Sequence, residues 1–74
     1  MKMTALYDFI DNLMGDYMFE YKGKSGSICP FSRTNIAVCY DGESVECTSV
    51  SEAMDVKIFN GYSAREVCDE FVDL

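Results

Sequence analysis

Asn35-Ile36-Ala37-Val38-Cys39-Tyr40-Asp41-Gly42-Glu43-Ser44-Val45-Glu46-Cys47-Thr48 is the stretch that decides the fold. Asp-Gly between two apolar-rich runs is among the strongest short-range signals for a β-hairpin, because both residues tolerate the positive φ of a tight turn. With a two-residue loop, Tyr40 faces Glu43, Cys39 faces Ser44, Val38 faces Val45, Ala37 faces Glu46 and Ile36 faces Cys47. One face then carries Ile36, Val38, Val45 and Cys47; the other carries Ala37, Cys39, Ser44 and Glu46. That sorting is what an antiparallel sheet with one buried face requires. It also sets Cys39 and Cys47 on opposite faces, where they cannot bridge each other.

Upstream of the hairpin, Cys29-Pro30-Phe31 resists regular assignment, since Pro30 has no N–H to give and belongs at an edge or in an irregular segment. Gly23-Lys24-Ser25-Gly26-Ser27 reads as a flexible turn or loop. Residues 18–22 alternate, with Phe19 and Tyr21 on one face, and predict a strand whose edge is open to pairing. Thr4 can cap a helix whose Leu6, Phe9, Ile10, Leu13 and Met14 form one apolar stripe, stopping at Gly15 or running on to Tyr17.

Downstream, Ser49 with Glu52 has the spacing of a capping box and predicts a short helix over residues 50–54. Asn60-Gly61 predicts a turn, and Ser63 with Glu66 repeats the box. Ala64, Val67, Cys68, Phe71 and Val72 then recur at helical spacing, predicting a last helix that carries the chain to its end. The expected fold is α+β: an N-terminal helix, a three-stranded antiparallel sheet containing the hairpin, and one short and one C-terminal helix, packed on one sheet face. Residues 1–74 form a single domain on this reading.

A chain of 74 residues that is 49% hydrophobic and 14% aromatic is too rich in core-forming side chains for a disordered segment. No stretch approaches the roughly 20 apolar residues that span a bilayer, and Asp8 and Asp11 interrupt any signal-peptide core. A cytoplasmic protein with no membrane partner is expected, and its four cysteines are read as thiols.

Motifs that carry chemistry are incomplete. Gly23-Lys24-Ser25 matches the end of a phosphate-binding loop, but Met18 stands where its first glycine belongs. Cys29-Pro30-Phe31-Ser32 resembles the active-site stretch of the glutaredoxins, which implies a redox thiol at Cys29, with Lys24 and Arg33 near enough in sequence to favour thiolate. That family opens a helix at the motif and sets a second, cis proline beside the thiol. Here a strand follows, and Pro30 is the only proline. Cys29 and Arg33 are two residues too close for a phosphatase loop. With no His and no Cys-x2-Cys pair a zinc site is not expected, and no acidic run follows the calcium-loop pattern. The lack of His also removes the commonest general base. No catalytic, cofactor or metal residue is assigned, and the protein is read as a non-enzyme.

Charge points elsewhere. Residues 1–40 hold four acids against four bases, so the whole net charge of -7 falls on residues 41–74, where nine acids oppose Lys57 and Arg65. Direct nucleic-acid binding, which needs cationic surface, is disfavoured. A protein with a basic surface is the expected partner. The candidate contacts are Asp41, Glu43, Glu46, Glu52, Asp55, Glu66, Asp69, Glu70 and Asp73. Carboxylates held on a rigid frame can imitate a phosphate track, and small phage-borne inhibitors of CRISPR and restriction enzymes share this size and acidity. The expectation is a small acidic protein-binding domain, with that inhibitor type suggested by class analogy alone. The alternative is a cytoplasmic adaptor or regulatory domain, homodimeric through the edge at 18–22, with Tyr17, Tyr40 or Tyr62 as exposed anchors.

Overall fold

Three two-residue turns organise the chain. Lys22-Gly23, Asp41-Gly42 and Asn60-Gly61 each place both residues at positive φ, between 51° and 86°, the signature of the type I′ turn that matches strand twist. A computed structural model describes residues 2–74. Its elements are α1 (Met3–Asp11), β1 (Tyr17–Tyr21), β2 (Lys24–Ser32), β3 (Asn35–Tyr40), β4 (Glu43–Cys47), α2 (Val50–Asp55), α3 (Ala64–Val67), a 3-10 turn (Cys68–Glu70) and β5 (Val72–Asp73).

The α+β class holds, but the sheet has five antiparallel strands, not three, in the order β4-β3-β2-β1-β5. The β3–β4 hairpin has the predicted register at all five positions. Residues 23–27 are no flexible loop: only Lys22-Gly23 turns, and β2 runs for nine residues through the centre of the sheet. Gly26 lies inside it because a Cβ there would sit 2.7 Å from the Phe19 ring and 2.9 Å from the Cys39 carbonyl oxygen. A register shift between Pro30 and Ser32 accommodates the proline.

Both ends depart from helical expectation. α1 begins at Met3 with Lys2 as its cap residue, so Thr4 lies in the first turn and caps nothing. It ends at Asp11, with Leu13 at a φ of 52° before Gly15 is reached. At the other end, helix gives way after Val67 to the 3-10 turn and β5, which pairs with β1. β1 is therefore interior, and the open edge expected at 18–22 is covered at Met18, Phe19 and Glu20 by residues 72–74.

All of the apolar burial lies on one side of the sheet. Tyr17, Phe19 and Tyr21 of β1, Ile28 of β2, Ile36, Val38 and Tyr40 of β3, and Cys47 of β4 meet Leu6 and Ile10 of α1, Val50, Ala53 and Met54 of α2, and Ala64 and Val67 of α3. Phe71 leaves the 3-10 turn to stack on Phe19 at 4.1 Å between ring centroids, and Phe59 packs tilted against both. Tyr40, buried, donates its hydroxyl proton to the Tyr21 carbonyl at 2.7 Å, so the core keeps no orphan polar group there. No described helix is long and apolar enough to cross a membrane.

Candidate functional site

All nine acidic residues singled out from the sequence are exposed, but they differ in what they touch. Asp41, in the hairpin turn, accepts from Lys24 at 2.9 Å. Asp55, closing α2, accepts from Arg65 at 2.6 Å. Glu70 faces Lys22 at 3.6 Å. Glu66 accepts from Lys57 at 2.8 Å while also taking the Ser63 backbone N–H and hydroxyl in the predicted capping box. These donors, the Lys57 ammonium first, pull its carboxyl down to about 2. Glu52 takes the Thr48 backbone N–H and hydroxyl, while its own N–H goes to Ser49 Oγ. Asp73 accepts the Tyr17 hydroxyl at 2.5 Å; burial first, and then this bond, raise the Tyr17 pKa. Glu43, Glu46 and Asp69 have no side-chain partner among the described residues.

A fifth ion pair, Arg33 with Asp11 at 3.4 Å, completes a pattern that no linear tally of charge exposes. Among the described residues, five of the six basic side chains are engaged by a carboxylate, and Lys2 is not. Thirteen acids less these five leave eight, and Lys2 reduces the balance to the chain's -7. The eight are Asp8, Asp16, Glu20, Glu43, Glu46, Glu52, Asp69 and Asp73. Net charge is thus carried by carboxylates without a basic neighbour, and three of them belong to the half of the chain that sums to zero.

The structure does not gather the nine into one track. Glu43 and Glu46 lie on β4 and Asp73 on β5, at opposite edges of the sheet, about 19 Å apart at four strand spacings. The sequence reading missed Glu20, on the outward side of β1, and Asp16, the exposed residue just before it. Pairing out the β1–β2 hairpin over Lys22-Gly23 would have found them, because alternation from Phe19 and Tyr21 turns both away from the core.

Of the three tyrosines expected as exposed anchors, Tyr17 and Tyr40 are buried in the aromatic core. Tyr62 alone is exposed, beside the Asn60-Gly61 turn. No disulfide joins any of the four cysteines. Burial pushes the Cys29 thiol above its ordinary range, and Asp16 adds to the effect against a weak contact with Ser27. Lys24 and Arg33, expected to favour thiolate there, are held by Asp41 and Asp11. Cys29 also lies within a strand, not at the start of a helix as in the glutaredoxins. No group of three or more candidate metal ligands occurs among the described residues. A shallow groove of about 220 Å³ between the β3–β4 turn and Ile58, Asn60 and Gly61 falls below the range of small-molecule pockets, roughly 300–1,000 Å³. No known protein family, curated protein or solved structure matches the chain.

Proposed function

We propose that the protein is a non-catalytic, acidic, cytoplasmic binding domain that occupies a basic surface of another protein, a surface of the kind that holds nucleic acid. On this reading it acts as an inhibitor, in the manner of anti-restriction or anti-CRISPR proteins, by denying that surface to its own ligand. The observation that carries the reading is the engagement of every basic side chain but Lys2 in an ion pair. The molecule thereby shows unmatched carboxylates and almost no unmatched cation. Such a surface repels nucleic acid and attracts the proteins that bind it.

The test begins with a basic nucleic-acid-binding protein captured from cells that make this chain. Binding to it should weaken at least tenfold between 50 and 300 mM NaCl, as screened charge pairs do, and a DNA duplex should compete. Reversing Glu43, Glu46 and Asp69 together to Lys should abolish the complex. Binding that ignores salt, or that survives the triple reversal, overturns the reading. The alternative of a homodimeric adaptor loses its suggested interface, because β5 closes the edge through which β1 was to pair.

A further inference from the structure

α1, α2 and α3 all pack on one face of the sheet, and nothing in the described chain covers the other. Strand register arranges that outer face in rows. The first runs Glu46, Ala37, Cys29 and, by continuation of the β1–β2 register, Asp16. The second runs Ser44, Cys39, Ser27, Met18 and Leu74, whose N–H donates to the Met18 carbonyl at 3.1 Å. The third holds Ser25, Glu20 and Val72. The middle row crosses all five strands without a charged side chain. Met18 is 50%, Val72 61% and Leu74 71% exposed, whereas the solvated face of an antiparallel sheet is ordinarily polar at such positions.

Carboxylates flank this uncharged strip. Asp16, just before β1, and Glu20 are four residues apart along the chain, and Asp16 and Glu46 are three strand spacings apart, so each separation is about 14 Å. None of the three has a basic partner, and no Lys or Arg belongs to the three rows.

We infer that the outer sheet face is a docking surface for a protein segment that presents a flat apolar strip flanked by Lys or Arg. The small side chains Ala37, Cys39 and Ser27 let the strip approach closely, and Asp16, Glu20 and Glu46 receive its cations. Charge complementarity selects this occupant. A second copy would bring six carboxylates to one interface with no cation from either face, an arrangement that like-charge repulsion opposes. The inference rests on the basic-partner reading above and deepens it by naming the face.

The test uses the full chain, labelled with 15N, and three synthetic peptides: an amphipathic helix with an Ala/Leu strip flanked by Lys, the same strip flanked by Glu, and oligolysine without a strip. The Lys-flanked helix should shift the amides of Ser27, Ala37 and Cys39, and the other two should not. Ala37→Trp, whose ring would overhang the strip from the neighbouring row, and the pair Asp16→Lys with Glu20→Lys should each weaken binding at least tenfold. Asp16→Asn with Glu20→Gln, closer to the native shapes, should weaken it in the same direction while the spectrum stays that of the folded chain. Shifts confined to the helical side, equal shifts from oligolysine, or unchanged affinity in these variants overturn the inference. So does concentration-dependent movement of the same amides without peptide, which would mean a second copy. These variants leave Glu43, Glu46 and Asp69 intact. If they bind a basic partner normally while the triple reversal does not, the partner class stands and this face falls.

Discussion

Glu66 shows how a single side chain joins local order to tertiary contact. Its Oε1 receives the Lys57 ammonium, the Ser63 N–H and the Ser63 hydroxyl at 2.8–3.1 Å. In this way one oxygen caps α3 and ties it to the segment after α2. The capping half was legible as Ser63-x-x-Glu66; the Lys57 half was not, because nine residues and a turn separate the partners. The carboxyl lies at about 2 against an ordinary 4.5. A carboxyl depressed by folding adds stability that is fully present above its ordinary value and lost as pH falls through its folded one. Glu66→Gln should therefore lower the urea midpoint at pH 7, and the gap between variant and parent should close between about 4.5 and 2. A gap that stays constant over that window would show that the charge of Glu66 adds nothing. Subtracting the two profiles removes the twelve other acids from the comparison.

At the scale of elements, what the sequence declared clearly was local. The β3–β4 register was readable because Asp41-Gly42 fixes the loop length and alternation fixes the faces. What it concealed was set by distant packing. Gly23 to Ser27 has the composition of a loop, yet Gly26 is in a strand because Phe19 fills the space above it. Ala64, Val67, Cys68 and Phe71 are in the core as expected, but not all in a helix, and Val72, expected beside them, is exposed on β5. Phe71 gains more by stacking on Phe19 and meeting Phe59 and Tyr21 than a further helical turn would give, so the helix stops and the next residues pair with β1. Phe71→Ala should cost about 3–5 kcal/mol, measured by urea unfolding, and should remove hydrogen-exchange protection from the β1–β5 pairing first. A loss below about 1 kcal/mol would mean that the segment is ornamental. The candidate site divides the same way. Exposure of the acids was evident from their periodicity, whereas their ion pairs, and the outward placement of Asp16 and Glu20, depend on which strands adjoin.

For the whole molecule, the question is what the unmatched charge does to stability. Eight carboxylates make twenty-eight pairs. At a typical separation of about 15 Å each repels by about 0.3 kcal/mol in water, so the sum is about 8 kcal/mol at low salt, part of which the unfolded chain shares. The five exposed ion pairs oppose this with roughly 0.5 kcal/mol each. Repulsion wins, and salt should therefore stabilise the fold. Raising NaCl from 10 to 300 mM, which shortens the screening length from about 30 Å to below 8 Å, should raise Tm by about 5 °C, read by calorimetry. A fall in Tm would show that the ion pairs dominate. The same salt should weaken the partner complex, so the two effects have opposite signs in one titration.

The order β4-β3-β2-β1-β5 also has a meaning in time. A ribosome delivers the first four strands as one continuous meander, which can zip up behind it. β1 then stands at the rim of a growing sheet, with Tyr17, Phe19 and Tyr21 uncovered along it. Its neighbour, Val72–Asp73, is about fifty residues later in synthesis. Until then the nascent chain carries a sticky, aromatic border of the sort that invites intermolecular pairing. Val72 and Asp73 are the residues that retire it.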